Sequence, residues 1–321
     1  MGVAVDIFLA NEKIAYHKYD LLHFFNITRP ADFIRHIKLS RKPYVVSTIF
    51  VDYREVSSSA RQGSGEYLKV IGRAVLSGEK VVSNEFLLWG HKKSVQYVAK
   101  NAAYLLPNSE SEYKRFVDTF SVSRPYMVVP NGVDVELITK NYPINPEYKD
   151  AIICMGRIEP RKNQLALIHA LNGSPYKVFI HGKPSPNHKA YYQRCISEAT
   201  ENIFIRNWLD TPELYRVYRS SRVHVLPSYF ETTGLVSLEA AAMGCSVVIT
   251  DRGDTKEYFG DNAWYCDPAN TSSIRQAVDE AFNAPVNEQF RAQVLERYTW
   301  DKAAKKTMEA YQSVLNRPTA S

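Results

Sequence analysis

Between residues 151 and 266 the chain carries short apolar, β-branched runs near 151–155, 176–181, 203–206, 222–227, 246–250 and 263–266, and a helical stretch separates each from the next. Runs this short with apolar residues on both faces need cover on both faces, which a parallel sheet between two layers of helices supplies. The first 140 residues repeat the scheme less regularly. Strands are predicted there at 3–9, 19–25, 44–51, 102–107 and 126–129, with helices near 30–39, 65–78 and 110–119. A chain of 321 residues that is 45% apolar is long enough for two cores. The boundary is expected at 140–149, where Asn-Tyr-Pro-Ile-Asn-Pro carries two prolines and no periodicity. This gives domains over 1–143 and 144–300. Past Pro268 the chain reads as helical, near 271–282, 287–296 and 300–315.

Two places along these strands attract an anion. Residues 231–244 place Glu231 on an irregular turn and Glu239 eight positions later in an Ala-rich helix, directly after the apolar run ending at Ser228. The intervening Thr-Thr-Gly turn leaves backbone N–H groups free at a helix start, where the helix dipole also favours negative charge. Eight residues is slightly more than two helical turns, so Glu239 faces a ligand whose other end lies by Glu231. The second place is the run ending at Gly156, from which Arg157 and Lys162 both emerge before another helix. Two cations at a helix start suit a diphosphate. Both turns follow the carboxyl ends of strands, where open α/β sheets bind ligands.

Gly156-Arg157-x-x-x-x-Lys162-Asn163, Gly182 after an apolar run, Glu231-x7-Glu239, Gly244 and Val128-Val-Pro-Asn-Gly-Val-Asp134 stand in the order seen in retaining family 4 glycosyltransferases. The resemblance runs from about Pro107 to Trp300. It implies an α/β chain of two Rossmann-like domains, the GT-B fold, facing across a cleft. The donor nucleotide-sugar would sit in the C-terminal half and a hydroxyl acceptor, glycan or lipid-linked, in the N-terminal half. A last helix over 301–321 would pack back toward the first domain. By the same resemblance Arg157 and Lys162 bind the diphosphate, Glu231 contacts the donor sugar and Glu239 holds the ribose hydroxyls. Thr233, Gly234 and Leu235 offer N–H groups to the phosphates, Gly182 belongs to the donor site, and Trp208 and Leu209 frame the base. Asn207 stands where relatives commonly have glycine.

The chain departs from that pattern at its beginning. Residues 2–8 resemble the family's second strand, so the first strand and its glycine-rich loop are expected to be absent and the N-terminal domain to be shortened. The 3–9 strand is therefore expected beside 19–25, or another chain is expected to cover the exposed edge. Relatives often place a histidine after the strand equivalent to 44–49. Phe50, Val51 and Asp52 follow here, leaving Asp52 as the acceptor-side candidate and His23 as a packed histidine. Gly63-x-Gly65 lacks a third glycine and a preceding strand, so it does not read as a dinucleotide site.

Charge and cysteine content bound the rest. The net charge of +6 is concentrated in residues 1–140, with 19 Lys and Arg against 14 Asp and Glu. That surplus suits a solvated face, or peripheral contact with anionic lipid headgroups at the inner membrane face. It forms no long basic cluster, so nucleic acid is not an expected partner. Cys154, Cys195, Cys245 and Cys266 lack metal spacing and read as reduced structural thiols of a cytoplasmic protein. No Asp-x-Asp pair occurs, so neither a metal nor a cofactor is expected, and basic side chains are left to stabilise the leaving diphosphate. The alternatives at this level are a donor-binding partner that needs another chain to complete its acceptor site, and a sugar-nucleotide epimerase. No paired acid and base for an epimerase can be identified.

Overall fold

The computed structural model describes residues 2–51 and 84–316. It divides into two compact units, Met1–Val129 with Ala304–Ser321, and Pro130–Ala303. The division falls earlier than the two prolines suggested. Residues 131–148 fold into the second unit, where the Val133 N–H donates to the Tyr298 carbonyl at 2.8 Å. Ile138 and Tyr148 are buried in the second unit's core. Asp52, the predicted helix near 65–78 and Gly63-x-Gly65 lie outside the described residues.

In the first unit, β1 (Leu22–Phe25), β2 (Tyr44–Ser47) and β3 (Tyr104–Leu106) form a parallel sheet in that order. Helices α1 (Ala31–Ser40), α2 (Asn84–Asn101) and α3 (Glu110–Phe120) accompany them. Val46 and Leu105 point to one face and pack with Ile34, Val95, Val98 and Phe116. Val45 and Leu106 point to the other and meet Ala310 and Val314 of the last helix, Trp300–Leu315. His23 is packed as expected: its ring nitrogens bond Tyr311 Oη at 2.7 Å and Ser47 Oγ at 2.8 Å.

Several sequence readings fail in this unit, among them the strand expected at 126–129, which is reduced to a single bridge between Leu105 and Tyr126. Residues 3–9 form no strand, and Val5 and Ile7 are exposed at 71% and 91%. Apolar residues occupy both faces of that run, and with neither face covered no ladder forms. It reaches Tyr19 through side chains instead, the Tyr19 hydroxyl donating to Asp6 at 2.8 Å. The strand predicted to run to Val51 stops at Ser47, because the buried Glu112 carboxylate draws the chain aside. Thr48 Oγ1 and the Phe50 N–H both donate to it, and Ile49 takes a left-handed φ of 44° between them. Helix α2 was not anticipated: Gly90, at φ 71°, breaks it, although Val95, Val98, Ala99 and Ala102 are buried at helical spacing.

The second unit carries the six anticipated strands: β4 (Ile152–Met155), β5 (Val178–His181), β6 (Ile203–Arg206), β7 (Val223–Leu226), β8 (Ser246–Thr250) and β9 (Trp264–Cys266). All pair in parallel, in the order β6-β5-β4-β7-β8-β9. Helices α4 (Val135–Ile138), α5 (Gln164–Leu171), α6 (Lys189–Glu198), α7 (Thr211–Ser220), α8 (Leu235–Ala242), α9 (Thr255–Phe259), α10 (Thr271–Asn283) and α11 (Glu288–Arg297) follow the predicted alternation. Separate clusters of buried side chains cover the two sheet faces, Ile153 and Val247 in one and Ile152 and Val248 in the other. The chain reverses direction across the sheet between β4 and β7, the position at which doubly wound sheets open a crevice at their carboxyl ends.

Candidate functional site

The turns leaving β4 and β7 meet at that crevice. After β4 the chain passes Gly156, at φ 149°, and runs through the 3-10 turn Pro160–Lys162 to Asn163. Asn163 takes a left-handed φ of 58° before α5, and its amide donates to the Pro227 carbonyl at 3.1 Å and the Pro268 carbonyl at 2.7 Å. The Tyr229 N–H donates to the Arg161 carbonyl at 2.9 Å, so the two turns are joined through backbone as well. Gly182 shows why a larger residue is excluded at the end of β5: a Cβ there would lie 1.9 Å from the Gly156 carbonyl oxygen.

Of the predicted residues, Lys162 and Glu231 are brought together, with Lys162 Nζ donating to Glu231 Oε1 at 2.5 Å. Glu231 is buried and Lys162 partly buried. Burial alone would raise the Glu231 pKa, but the charges of Lys162 and Arg161 outweigh it and hold the carboxyl below its ordinary range. The Glu231 backbone is fixed too. Its N–H donates to the Arg252 carbonyl at 3.1 Å and its carbonyl accepts from Asp254 at 2.9 Å. A Cβ on Gly253, at φ 102°, would lie 1.9 Å from the Glu231 carbonyl oxygen.

Beyond Glu231, Gly234 is left-handed at φ 66°, and α8 begins at Leu235, with no side-chain cap. The N–H groups of Thr233, Gly234, Leu235 and Val236 donate to no acceptor among the described residues, which leaves the donor array free that the sequence foresaw. Thr233 Oγ1 accepts from the Asn131 amide at 2.9 Å, which seats the Val128–Asp134 segment beside the turn.

Glu239 stands apart from the Lys162–Glu231 pair. Burial raises its pKa to about 7, with the Asp134 carboxylate adding to the rise. The nearby Tyr218 hydroxyl lowers it, yet closes no hydrogen bond of ordinary geometry. Beneath the site His224, on β7, bonds Ser237 Oγ through Nδ1 at 3.2 Å. Burial and then the Lys162 charge lower its pKa to about 3, so the ring is neutral.

Arg157 is exposed and pairs with no described residue. Trp208 is exposed past the end of β6, whereas Leu209 packs partly against the core. Asn207 does not adopt the left-handed backbone that a glycine substitute would need, and its carbonyl accepts from His181 Nδ1 at 2.9 Å. Sequence reasoning missed Arg161, whose guanidinium meets Glu159 at 3.2 Å and Glu231 at 3.7 Å. Its place beside Lys162 was the available signal. The four cysteines are buried free thiols, with Cys154 pushed up to about 12 by burial. No helix among the described residues is long and apolar enough to cross a membrane, and those residues hold no cluster of three His, Cys, Asp or Glu able to ligate a metal.

A six-stranded parallel sheet in this order, with a cation–carboxylate pair and an open helix start at its switch point, is the C-terminal half of a GT-B fold. Residues 136–307 match the model of glycosyl transferases group 1, and the chain belongs to that family. It is 34% identical over 105 residues to an uncharacterized glycosyltransferase of Methanocaldococcus jannaschii, a match covering 30% of this chain and 27% of that one. It is 24% identical over 281 residues, 80% of this chain and 76% of the other, to an N-acetylgalactosaminyltransferase of Campylobacter jejuni acting on a diphospho-undecaprenol acceptor. For several other relatives the match takes in little more than half of their length. Among solved structures, Anabaena HepE in complex with UDP superposes with a TM-score of 0.70 at 16% identity, over 92% of this chain and 79% of that one.

Proposed function

We propose that the protein is a retaining glycosyltransferase of family 4 that moves a sugar from a nucleoside diphosphate sugar to a hydroxyl acceptor. The observation that carries this is the Lys162–Glu231 pair at the switch point, beside the unpaired N–H groups of 233–236. As the bond from the anomeric carbon to the phosphate oxygen breaks, the diphosphate gains negative charge that Arg157, Lys162 and these N–H groups stabilise. The ionised Glu231 faces the positive charge developing on the sugar. The acceptor oxygen forms the new bond on the same face and passes its proton to the departing phosphate oxygen. No metal is required, because side-chain cations already neutralise the leaving group.

Glu239 holds the ribose hydroxyls and Trp208 borders the base. A glycan or lipid-linked acceptor is supported by the diphospho-undecaprenol in the Campylobacter relative's name. The basic surplus of residues 1–140 supports peripheral contact at the cytoplasmic membrane face. Calorimetry on two variants tests the reading. Glu239→Ala should lose affinity for both UDP and the nucleotide-sugar, whereas Glu231→Ala should keep UDP and lose turnover. Equal loss of UDP affinity in the two variants overturns the division of roles. A second reading, that another chain covers the N-terminal sheet, is favoured by the exposure of Val5, Ile7 and Leu9, and a monomer by sedimentation would remove it.

A further inference from the structure

The Lys162 ammonium assigned to the diphosphate is already engaged by Glu231 at 2.5 Å. When a diphosphate draws it away, the Glu231 carboxylate stays behind in a buried site. A buried carboxylate without a partner takes up a proton rather than remain charged, and a neutral Glu231 could not stabilise a cationic sugar.

A second cation faces the same oxygen. Arg161 Nη1 lies 3.7 Å from Glu231 Oε1 and donates to the Phe230 carbonyl at 3.0 Å, while Nη2 meets Glu159 Oε1 at 3.2 Å. The guanidinium is thus held in place by the residue preceding Glu231 and by a second carboxylate, independently of Lys162. The other neighbours bring no competing charge, the Ser228 hydroxyl beside Glu231 being neutral. Cys154 on β4 and His224 on β7 are uncharged at neutral pH. Arg252 is turned to Asp267 at 2.8 Å, and Asp254 meets Glu231 through its backbone N–H.

We propose that Arg161 is a positioning residue that keeps Glu231 ionised while Lys162 passes from it to the diphosphate. The site then exchanges one cation partner for another without taking up a proton. This rests on the nucleotide-sugar reading above.

The test is calorimetric titration of the full chain with UDP, GDP and ADP at pH 7, in two buffers of different ionisation heat, which counts protons bound per nucleotide. Arg161→Gln should take up additional protons relative to the wild type, approaching one per nucleotide, with its affinity within roughly threefold of wild type and its turnover lowered. Arg161→Lys, which keeps the charge, should return the uptake to the wild-type count, and Arg161→Met serves where the glutamine variant is unstable. Comparing variant with wild type removes any contribution from Glu239, which both carry. Equal proton counts in wild type and Arg161→Gln overturn the proposal. So does an affinity loss as large as that of Lys162→Ala, which would make Arg161 a phosphate ligand. Absence of binding by all three nucleotides to the folded wild type overturns the nucleotide-sugar reading itself, and this inference with it.

Discussion

Replacing Glu239 by glutamine should stabilise the ligand-free protein and weaken its hold on nucleotide. The Glu239 pKa rises from the ordinary 4.5 to about 7. At ~1.4 kcal/mol per pH unit, that difference corresponds to about 3 kcal/mol. The sign follows from proton binding. Between these two values the folded state holds a proton that the unfolded state has released, so stability falls as pH rises from 4.5 to 7 and levels off above. Glutamine has no charge to bury and avoids that loss. At pH 8 without ligand Glu239→Gln should exceed the wild type by up to about 3 kcal/mol, or roughly 6–12 °C in Tm for a unit of this size. At pH 4.5 and below the two should converge. Nucleotide binding runs the other way, because an ionised carboxylate accepts two ribose hydroxyls and a neutral one does not. Wild-type affinity for UDP should rise between pH 6 and 8, and the affinity of Glu239→Gln should stay flat. Urea unfolding at pH 5 and pH 8 with matched titrations measures both effects. A pH-independent stability difference, or a variant less stable than wild type at pH 8, refutes the reasoning.

Lys162→Ala removes a charge-assisted contact worth about 1.5–3 kcal/mol, so calorimetry should show nucleoside diphosphate binding weakened by roughly ten to a hundredfold. Gly253→Ala sets a Cβ against the Glu231 carbonyl at φ 102°. It should lower stability by about 2–5 kcal/mol in urea unfolding and depress turnover, and an unchanged midpoint would show that the turn relaxes freely. Sugar transfer should persist in the presence of a chelator, and turnover that vanishes with the chelator and returns with magnesium or manganese would contradict metal independence.

The second unit was legible because each of its strands is a short, mainly apolar run closed by a glycine, proline or polar turn, and parallel pairing follows from that pattern. The helix bounds near 271, 287 and 300 were equally plain, because Asn270 and Asn287 cap the first two. The first unit resisted because its boundaries are set by distant side chains. Nothing local to Thr48 and Phe50 reveals that Glu112 will end β2, and Gly90 conceals a helix whose buried positions are otherwise regular. At the site, Lys162 and Glu231 were individually visible as charges on turns. That they meet each other before any ligand arrives depends on the joining of two turns 69 residues apart, which no spacing expresses. Arg161 was hidden for the same reason.

The division of the chain also dictates an order of events during synthesis. Every residue of the second unit has been translated by Ala303, whereas the first unit still lacks Ala310 and Val314, the side chains that cover Val45 and Leu106. The half that begins first is therefore completed last. Until Ala310 and Val314 have been added, a nascent chain presents β2 and β3 with one apolar face open, which makes that face the place for chaperone capture or self-association. Chains stalled before Trp300 should crosslink to chaperones through Val45 and Leu106, and chains stalled after emergence of Leu315 should not.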